Sequence, residues 1–423
     1  MALEDYRADM ERCTRCSYCK FIPFDHVKSW RFSGGCPSIG YGKFQAYSAG
    51  GRLAVALSFL DGRSTYTERF LDIVYKCQMD GLCDISDKIC RYNMEPLQVM
   101  RELRFKLVED GQLLPQHMFT IDNLRKEDNM MLKPKSERGK WAEGLDVKDL
   151  TTEKADVVFH AGCRACYDEE LQKIARTAVT LFNNAGVDIG IMGKEETCCG
   201  GRPYDMGYQG EFIKYAKHNI ETWTNAGVKT VLTFCSDCYF AFKRLFPQEG
   251  SRFEVLHTVE FLGRLIKEGK IKLNKTIPVT VTYHDPCHLG RLGEPYITWS
   301  GVEKKIFGQM VVYDPPKPRY IGASGVYEPP REVLRSIPGL RLVEMERNRE
   351  FAWCCGAGGG VIEAYPDFAA WTAGERIREA ISSGAEAVAT ACPWCERNLL
   401  DAISKNGQKM KVYDVIELVQ QAI

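Results

Sequence analysis

Along the first 130 residues, apolar positions recur at helical spacing in three segments, Lys43 to Asp61, Thr65 to Cys77 and Glu95 to Asp110, and Gly111 stops the last of them. No alternating run there is long enough to predict a strand. A polar stretch from Lys133 to Lys154, with KPKSERGK near its start, predicts a linker. From Ala155 the texture changes to short apolar runs alternating with amphipathic segments. DVVFHAG, VDIGIMG, VKTVLTFC and RFEVLHT have strand character, and the segments after Asp168, Gly207 and Ser236 are helical. IPVTVTYHDP, GLRLVEM, EAVATAC and MKVYDV resume the alternation, which predicts α/β organisation.

The α/β part is written twice. Phe159-His160-Ala161-Gly162-Cys163 matches Tyr283-His284-Asp285-Pro286-Cys287, and Cys198-Cys199-Gly200-Gly201 matches Cys354-Cys355-Gly356-Ala357. Cys235-Ser236-Asp237-Cys238 matches Cys392-Pro393-Trp394-Cys395, and VLHTVEFLGRLI resembles the closing VYDVIELVQQAI. The offset is 124 at the first cysteine and 156 or 157 at the others. An insertion of roughly thirty residues therefore lies between Cys287 and Cys354, placed by its prolines in YDPPKPRYIGASG.

Charge narrows the partners. Lysine plus arginine equal aspartate plus glutamate at 56 each, so no long-range field favours nucleic acid or an anionic membrane. The amino terminus has no basic-then-apolar leader, and the longest apolar runs, such as Leu53 to Leu60, are too short to span a bilayer, so a cytoplasmic protein is expected. Eighteen cysteines then need a reason other than disulfides, and metal ligation or redox chemistry supplies one.

Each repeat carries one cysteine at a strand end, a vicinal pair, and a Cys-x-x-Cys about 35 residues later. Such positions bring five thiolates to the carboxyl edge of a sheet, where ligands bind in folds of this kind. Soft thiolates favour iron, copper(I) or zinc, and five are one too many for tetrahedral zinc. A vicinal pair alone also reads as a strained disulfide switch, and a lone Cys-x-x-Cys is weak; two spaced copies of the whole set argue against both. Adjacent thiolates suit a cluster of several irons, because neighbouring side chains reach neighbouring metal atoms. A zinc-stabilised scaffold without redox activity stays as a remote alternative.

The amino-terminal cysteines follow a different grammar. Cys13-x-x-Cys16-x-x-Cys19 is the three-ligand core of a bacterial ferredoxin site, with Cys36-Pro37 as a displaced fourth position. The second site reads Cys77-x-x-Asp80-x-x-Cys83, followed by Cys90 and Pro96. Because the fourth cysteine of each such motif serves the other cluster, Cys13, Cys16, Cys19 and Cys90 are assigned to one cluster, and Cys77, Cys83 and Cys36 to the other. Asp80 stands where a cysteine is usual. Either it ligates iron as a harder donor, giving an Asp-ligated [4Fe-4S] or a labile [3Fe-4S] cluster, or it is a solvated turn residue with no such role.

Three weaker signals remain. His160 and His284 lie three residues before Cys163 and Cys287, positions suited equally to a cluster-directed hydrogen bond, to proton supply and to an ordinary structural bond. Cys166 has no counterpart, since Gly290 occupies its place, and reads as a spare thiol. GAGGG at 356–360 lacks the context of a nucleotide loop and reads as room for close backbone approach.

The two five-cysteine sets resemble the paired CCG domains of heterodisulfide reductase catalytic subunits, and the amino-terminal block resembles the ferredoxin-type small subunit of that family, fused ahead of them. The resemblance implies an α+β multidomain protein: a helical ferredoxin-like domain over 1–152, a first CCG domain over 153–272 and a second over 273–423. It implies two noncubane [4Fe-4S] clusters, one on Cys163, Cys198, Cys199, Cys235 and Cys238 and one on Cys287, Cys354, Cys355, Cys392 and Cys395. Two ferredoxin-type clusters would precede them, fed by a flavin-containing HdrA-like subunit or another electron-transfer subunit. In the family a disulfide is split between the noncubane clusters, which gives Cys199, Cys355, His160 and His284 candidate catalytic roles. Related proteins also act as relays in electron-bifurcating assemblies, including those of class II benzoyl-coenzyme A reductases. The Asp80 motif, the wide Cys19 to Cys36 gap and the insertion before Cys354 mark a divergent member and favour the relay.

Overall fold

The computed structural model describes residues 2–16, 18–85, 90, 93–295, 297, 299–308 and 310–423. Four longer helices of the amino-terminal block run Ala49–Leu60, Glu68–Tyr75, Pro96–Glu109 and Pro115–Glu127. Their starts follow from local chemistry. Ser48 Oγ accepts the Gly51 amide and Thr67 Oγ1 the Phe70 amide, each at 3.1 Å, while Pro96 and Pro115 open their helices where a missing N–H costs nothing. The inner faces bury Leu53, Phe70, Leu97 and Leu103 in a core that continues into the α/β part.

The first sheet comprises β1 (Lys148–Asp149), β2 (Val157–Phe159), β3 (Ile189–Ile191), β4 (Thr230–Thr233) and β5 (Glu254–His257), all parallel, in the order β1-β3-β2-β4-β5. The second begins with β6 (Thr280–Tyr283). An antiparallel hairpin of β7 (Val302–Ile306) and β8 (Met310–Asp314) follows, and then β9 (Arg341–Val343), β10 (Ala387–Thr390) and β11 (Lys411–Asp414) return to the sheet. Its order, β9-β6-β10-β11, is that of β3-β2-β4-β5, so the cysteine repeat is a repeat of topology. Helices cover both faces of a parallel sheet, which is why β10 is buried at all four positions instead of alternating.

Two stretches differ from expectation. The polar segment 133–154 is integrated into the first α/β unit: Arg138 is fully buried, Trp141 joins the core, and β1 pairs with β3 through Lys148 and Asp149. Its charged composition hides this, because the two burying residues are isolated among lysines and glutamates. The insertion lies between Cys287 and the helix Glu328–Ser336, but part of it folds as the β7–β8 hairpin ahead of the prolines.

The two units close on each other across an approximate two-fold relation. Helix Thr258–Lys267, which ends the first unit, packs on Glu328–Ser336 of the second, and Val415–Ala422, which ends the second, packs on Glu169–Asn184 of the first. At the seam, Ser236 Oγ donates to the Ala391 carbonyl at 2.7 Å. Among the described residues no helix is long and apolar enough to cross a membrane.

Candidate metal centres

Each vicinal pair is shaped by a glycine that follows it. Gly200 at φ +75° turns its amide onto Cys198 Sγ at 3.3 Å, and Gly356 at φ +97° does the same to Cys354 Sγ at 3.3 Å. Cys235 and Cys392 stand at the N-caps of the helices Ser236–Phe240 and Pro393–Asn406, each directly after a central strand, and Cys238 and Cys395 follow in the first turn. Gly162, at φ +80°, lets the chain beside Cys163 pass where a Cβ would lie 3.1 Å from Cys238 Sγ.

The thiols touch in series. Cys163 contacts Cys198, Cys198 contacts Cys199, Cys199 contacts Cys238, and Cys238 contacts Cys235. In the second unit the series is Cys287, Cys354, Cys355, Cys395, Cys392. Cys235 and Cys392 meet each other at the seam, so ten sulfurs form one unbroken row. None is in a disulfide, and nine are buried, with Cys287 half-buried. Hydrogen bonds from Cys198 and Cys238 pull Cys199 below the usual thiol range, and those from Cys354 and Cys395 do so for Cys355. Crowded, buried, reduced sulfurs of this kind are a donor set for soft metal, and they fit an iron–sulfur group of more than one iron.

The histidines differ between the units. Burial pushes His160 down to about 4 and His284 down to about 3, so both imidazoles are neutral near pH 7. Arg376 Nε donates to His284 Nδ1 at 3.0 Å, which puts the ring proton on Nε2. That N–H has no hydrogen-bond partner among the described residues, and a ring nitrogen lies with the Cys355 and Cys395 sulfurs, all within 4.8 Å of one another, so the ring is placed as a hydrogen-bond donor beside those sulfurs and not as a further ligand. His160 has the Glu196 carboxylate 3.7 Å from Nδ1 and no hydrogen-bond partner among the described residues. Cys166 lies outside the row and donates to Glu196 Oε1 at 3.6 Å.

Two further side chains at the sulfur row belong to no cysteine motif. His288, next to Cys287, places Nδ1 3.5 Å from Cys287 Sγ and 3.3 Å from Asp237 Oδ1, with Nε2 3.1 Å from Asp205 Oδ2. Burial opposes its protonation, but Cys287, Asp237 and Asp205 together raise it well above the ordinary imidazole value. The Cys-His dipeptide was the available signal. Arg138 donates to Cys163 Sγ at 3.6 and 3.7 Å and to Glu196 at 2.9 Å; within a lysine-rich stretch it gave no signal.

In the amino-terminal block, Cys36, Cys77, Asp80 and Cys83 line one small cavity, together with Cys19 and Arg52. Asp80 is no solvated turn residue. Its side chain is 13% exposed, Oδ1 accepts the Leu82 amide at 3.1 Å, and the buried Oδ2 has no hydrogen bond among the described residues, with Arg291 Nη2 3.5 Å away. These donors fit a ferredoxin-type cluster. Burial raises Cys19 to about 12, and the charges of Cys36, Cys13 and Cys90 add to the rise, which brings those four cysteines into one neighbourhood. Cys16 is exposed.

This cavity abuts the second unit. Added Cβ atoms at Gly358 and Gly359 would lie 2.6 Å from the Gln78 carbonyl and 2.5 Å from the Cys77 carbonyl, so the glycine run after Cys355 lets two backbones touch. Arg104, fully buried, donates to the carbonyls of Cys77, Gly359 and Asp205 at 2.9, 2.8 and 2.7 Å. Arg291 reaches the Asp80 carbonyl at 2.5 Å and the Ala352 carbonyl at 2.8 Å.

Comparison with known proteins agrees with this picture. The cysteine-rich (CCG) domain family model matches residues 157–243 and 319–400. A subunit of the dihydromethanophenazine:CoB--CoM heterodisulfide reductase of Methanosarcina mazei is 34% identical over 98% of this chain and 94% of its own length. The probable iron-sulfur-binding oxidoreductase FadF of Bacillus subtilis is 30% identical over 83% of this chain and 46% of its own. A hypothetical protein from Helicobacter pylori shares the fold with a TM-score of 0.53 at 12% identity, covering 89% of this chain and 67% of that one.

Proposed function

Since the chain belongs to the heterodisulfide reductase family of CCG-domain iron–sulfur oxidoreductases, we propose that it is an electron-transfer component of a larger anaerobic complex. It takes single electrons from a flavin- or iron–sulfur-bearing partner, of the HdrA type or another electron-transfer subunit, and the complex is of the electron-bifurcating, benzoyl-CoA reductase kind. Cys13, Cys16, Cys19 and Cys90 hold one ferredoxin-type cluster, and Cys36, Cys77, Cys83 and Asp80 the other. The two five-cysteine sets hold noncubane [4Fe-4S] clusters, and the three domains follow the divisions 1–152, 153–272 and 273–423 except that 133–152 goes with the first α/β unit, whose sheet includes β1. When bound, these groups supply one-electron redox chemistry.

The observation that carries the reading is the join between the Asp80 cavity and the loop after Cys355, because it sets an entry site against a terminal one. The chain's own part is to hold and tune. Arg291 places a positive charge 3.5 Å from Asp80 and within electrostatic reach of Cys287 and Cys354, and the neutral His284 ring sits beside Cys355 and Cys395. Support for a relay also comes from a relative named EtfAB:quinone oxidoreductase in Syntrophomonas wolfei, 28% identical over 79% of this chain and 44% of its own length.

Asp80→Cys tests the assignment. The [3Fe-4S] paramagnetic signal of the oxidised protein is expected to vanish and a [4Fe-4S] signal to appear on one-electron reduction, at unchanged total sulfide. Zinc in place of iron, with no acid-labile sulfide, would return the chain to the scaffold alternative.

A second reading, disulfide cleavage at the noncubane sites, has its own observation in favour. A cavity of about 870 Å³ is walled by Arg101, Tyr204, Phe240 and Leu292. Phe240 packs on His288 at 5.0 Å, and Arg101 lies 3.4 Å from Asp205, which holds His288. His288 is then the group that holds a proton for a departing thiolate beside Cys287, whereas the neutral His160 and His284 orient. A panel of disulfides offered to the reduced holoprotein separates the readings: turnover lost in Cys199→Ser or Cys355→Ser supports cleavage, and no turnover with any disulfide leaves the relay.

A further inference from the structure

The surface around Cys36 combines an exposed aromatic patch with a basic groove. Trp30 is 74% exposed, with Phe44 at 63% and Phe24 at 60%, although large apolar side chains are normally covered. Phe24 and Phe21 each pack on Trp30 at 6.2 Å, so the rings form a patch and are not scattered singly. From Phe21 the patch continues into a groove of about 460 Å³ between the amino-terminal block and the second α/β unit, with Cys36 in its wall.

That groove is strongly basic in a chain of zero net charge. Lys20, Arg31, Lys43, Arg347 and Arg378 line it, and Glu375 is its one acidic residue among those described. Glu375 is shared, accepting from Arg31 at 2.5 and 2.9 Å and from Arg378 at 2.8 Å, with Arg347 3.7 Å away. Lys20 lies over the Phe21 ring at 5.6 Å and Arg347 over Trp353 at 4.3 Å. Arg347 also pairs with Glu379, so its charge is offset behind the wall, but Lys20 and Lys43 have no acidic partner facing the groove among the described residues.

We infer that this face is the docking site of an acidic redox protein. The aromatic patch supplies the desolvated centre of an interface and the arginines and lysines its charged rim, the residue types that anchor protein contacts. Partner carboxylates complement the unshared cations and steer the encounter, and the contact forms against the wall that holds Cys36. The inference rests on the electron-transfer reading and adds the surface and the charge of the donor.

The test uses the full, anaerobically loaded chain and a reduced acidic flavodoxin as probe donor, followed by stopped flow. The second-order rate is expected to fall on the order of tenfold as salt is raised from about 20 mM to about 300 mM. Lys43→Glu combined with Arg378→Glu lowers the low-salt rate by a similar factor and flattens its salt dependence. Trp30→Ala lowers the rate and leaves the salt slope as it was. Reduction by a small neutral photoreductant, deazaflavin, stays unchanged in each variant. Flavodoxin rates equal to wild type in the charge-reversed protein overturn the inference, as does a self-association abolished by the same reversal, which would assign the face to a second copy. Failure of the chain to hold iron and sulfide would instead sink the underlying reading.

Discussion

Cys355→Ser is expected to empty the second five-cysteine nest while the first keeps its iron. Cys355 lies mid-series, in contact with Cys354 on one side and Cys395 on the other, and hydrogen bonds from both draw its thiol toward the anionic form. A serine hydroxyl stays protonated and is a hard donor, so it neither accepts those bonds as a thiolate does nor competes for soft metal. On the four-cluster reading a quarter of the iron is lost. Metal binding is folding free energy, so the thermal midpoint falls as well. Anaerobic iron and sulfide determination with denaturation of the same sample measures both, and unchanged iron would remove Cys355 from the ligand set.

Arg331→Met is expected to cost about 3–5 kcal/mol, roughly 6–20 °C in Tm for a unit of this size. Arg331 is fully buried on helix Glu328–Ser336. It binds Asp285 through both oxygens at 2.6 and 2.9 Å and Glu344 at 2.7 and 3.0 Å. Methionine fills the volume but leaves Asp285 buried at charge, two residues ahead of Cys287, so iron in the second nest loosens too. Arg331→Lys restores little, because an ammonium cannot make two paired contacts. By contrast Glu332→Gln, which breaks the exposed Lys267 pair, changes stability by less than about 1 kcal/mol. A shift that small for Arg331→Met would mean that Asp285 takes up a proton instead.

The strands were readable because a buried parallel sheet writes itself as short apolar runs. DVVFHAG, VKTVLTFC and EAVATAC each contain the strand that forms, trimmed at both ends. The cysteine sets were readable because ligands to one metal group must recur at fixed intervals. What the sequence hid depends on contacts made by single residues from distant segments. Arg138 reaches Cys163 across 25 positions, and Arg291 reaches Asp80 across 211, and neither carries a periodic signature. His288 is hidden for a different reason: His160 and His284 recur in the repeat, whereas His288 faces Arg164 in the other copy. The hairpin β7–β8 alternates too little to stand out, with all of Val302–Ile306 exposed.

The meeting of Cys235 and Cys392 sets how this molecule fails in air. Molecular oxygen taking two electrons from that one pair would form a covalent strap between the halves and strip a donor from both nests at once. Oxidation at that pair is therefore not contained on one side, whereas a lesion elsewhere in either half of the row would be.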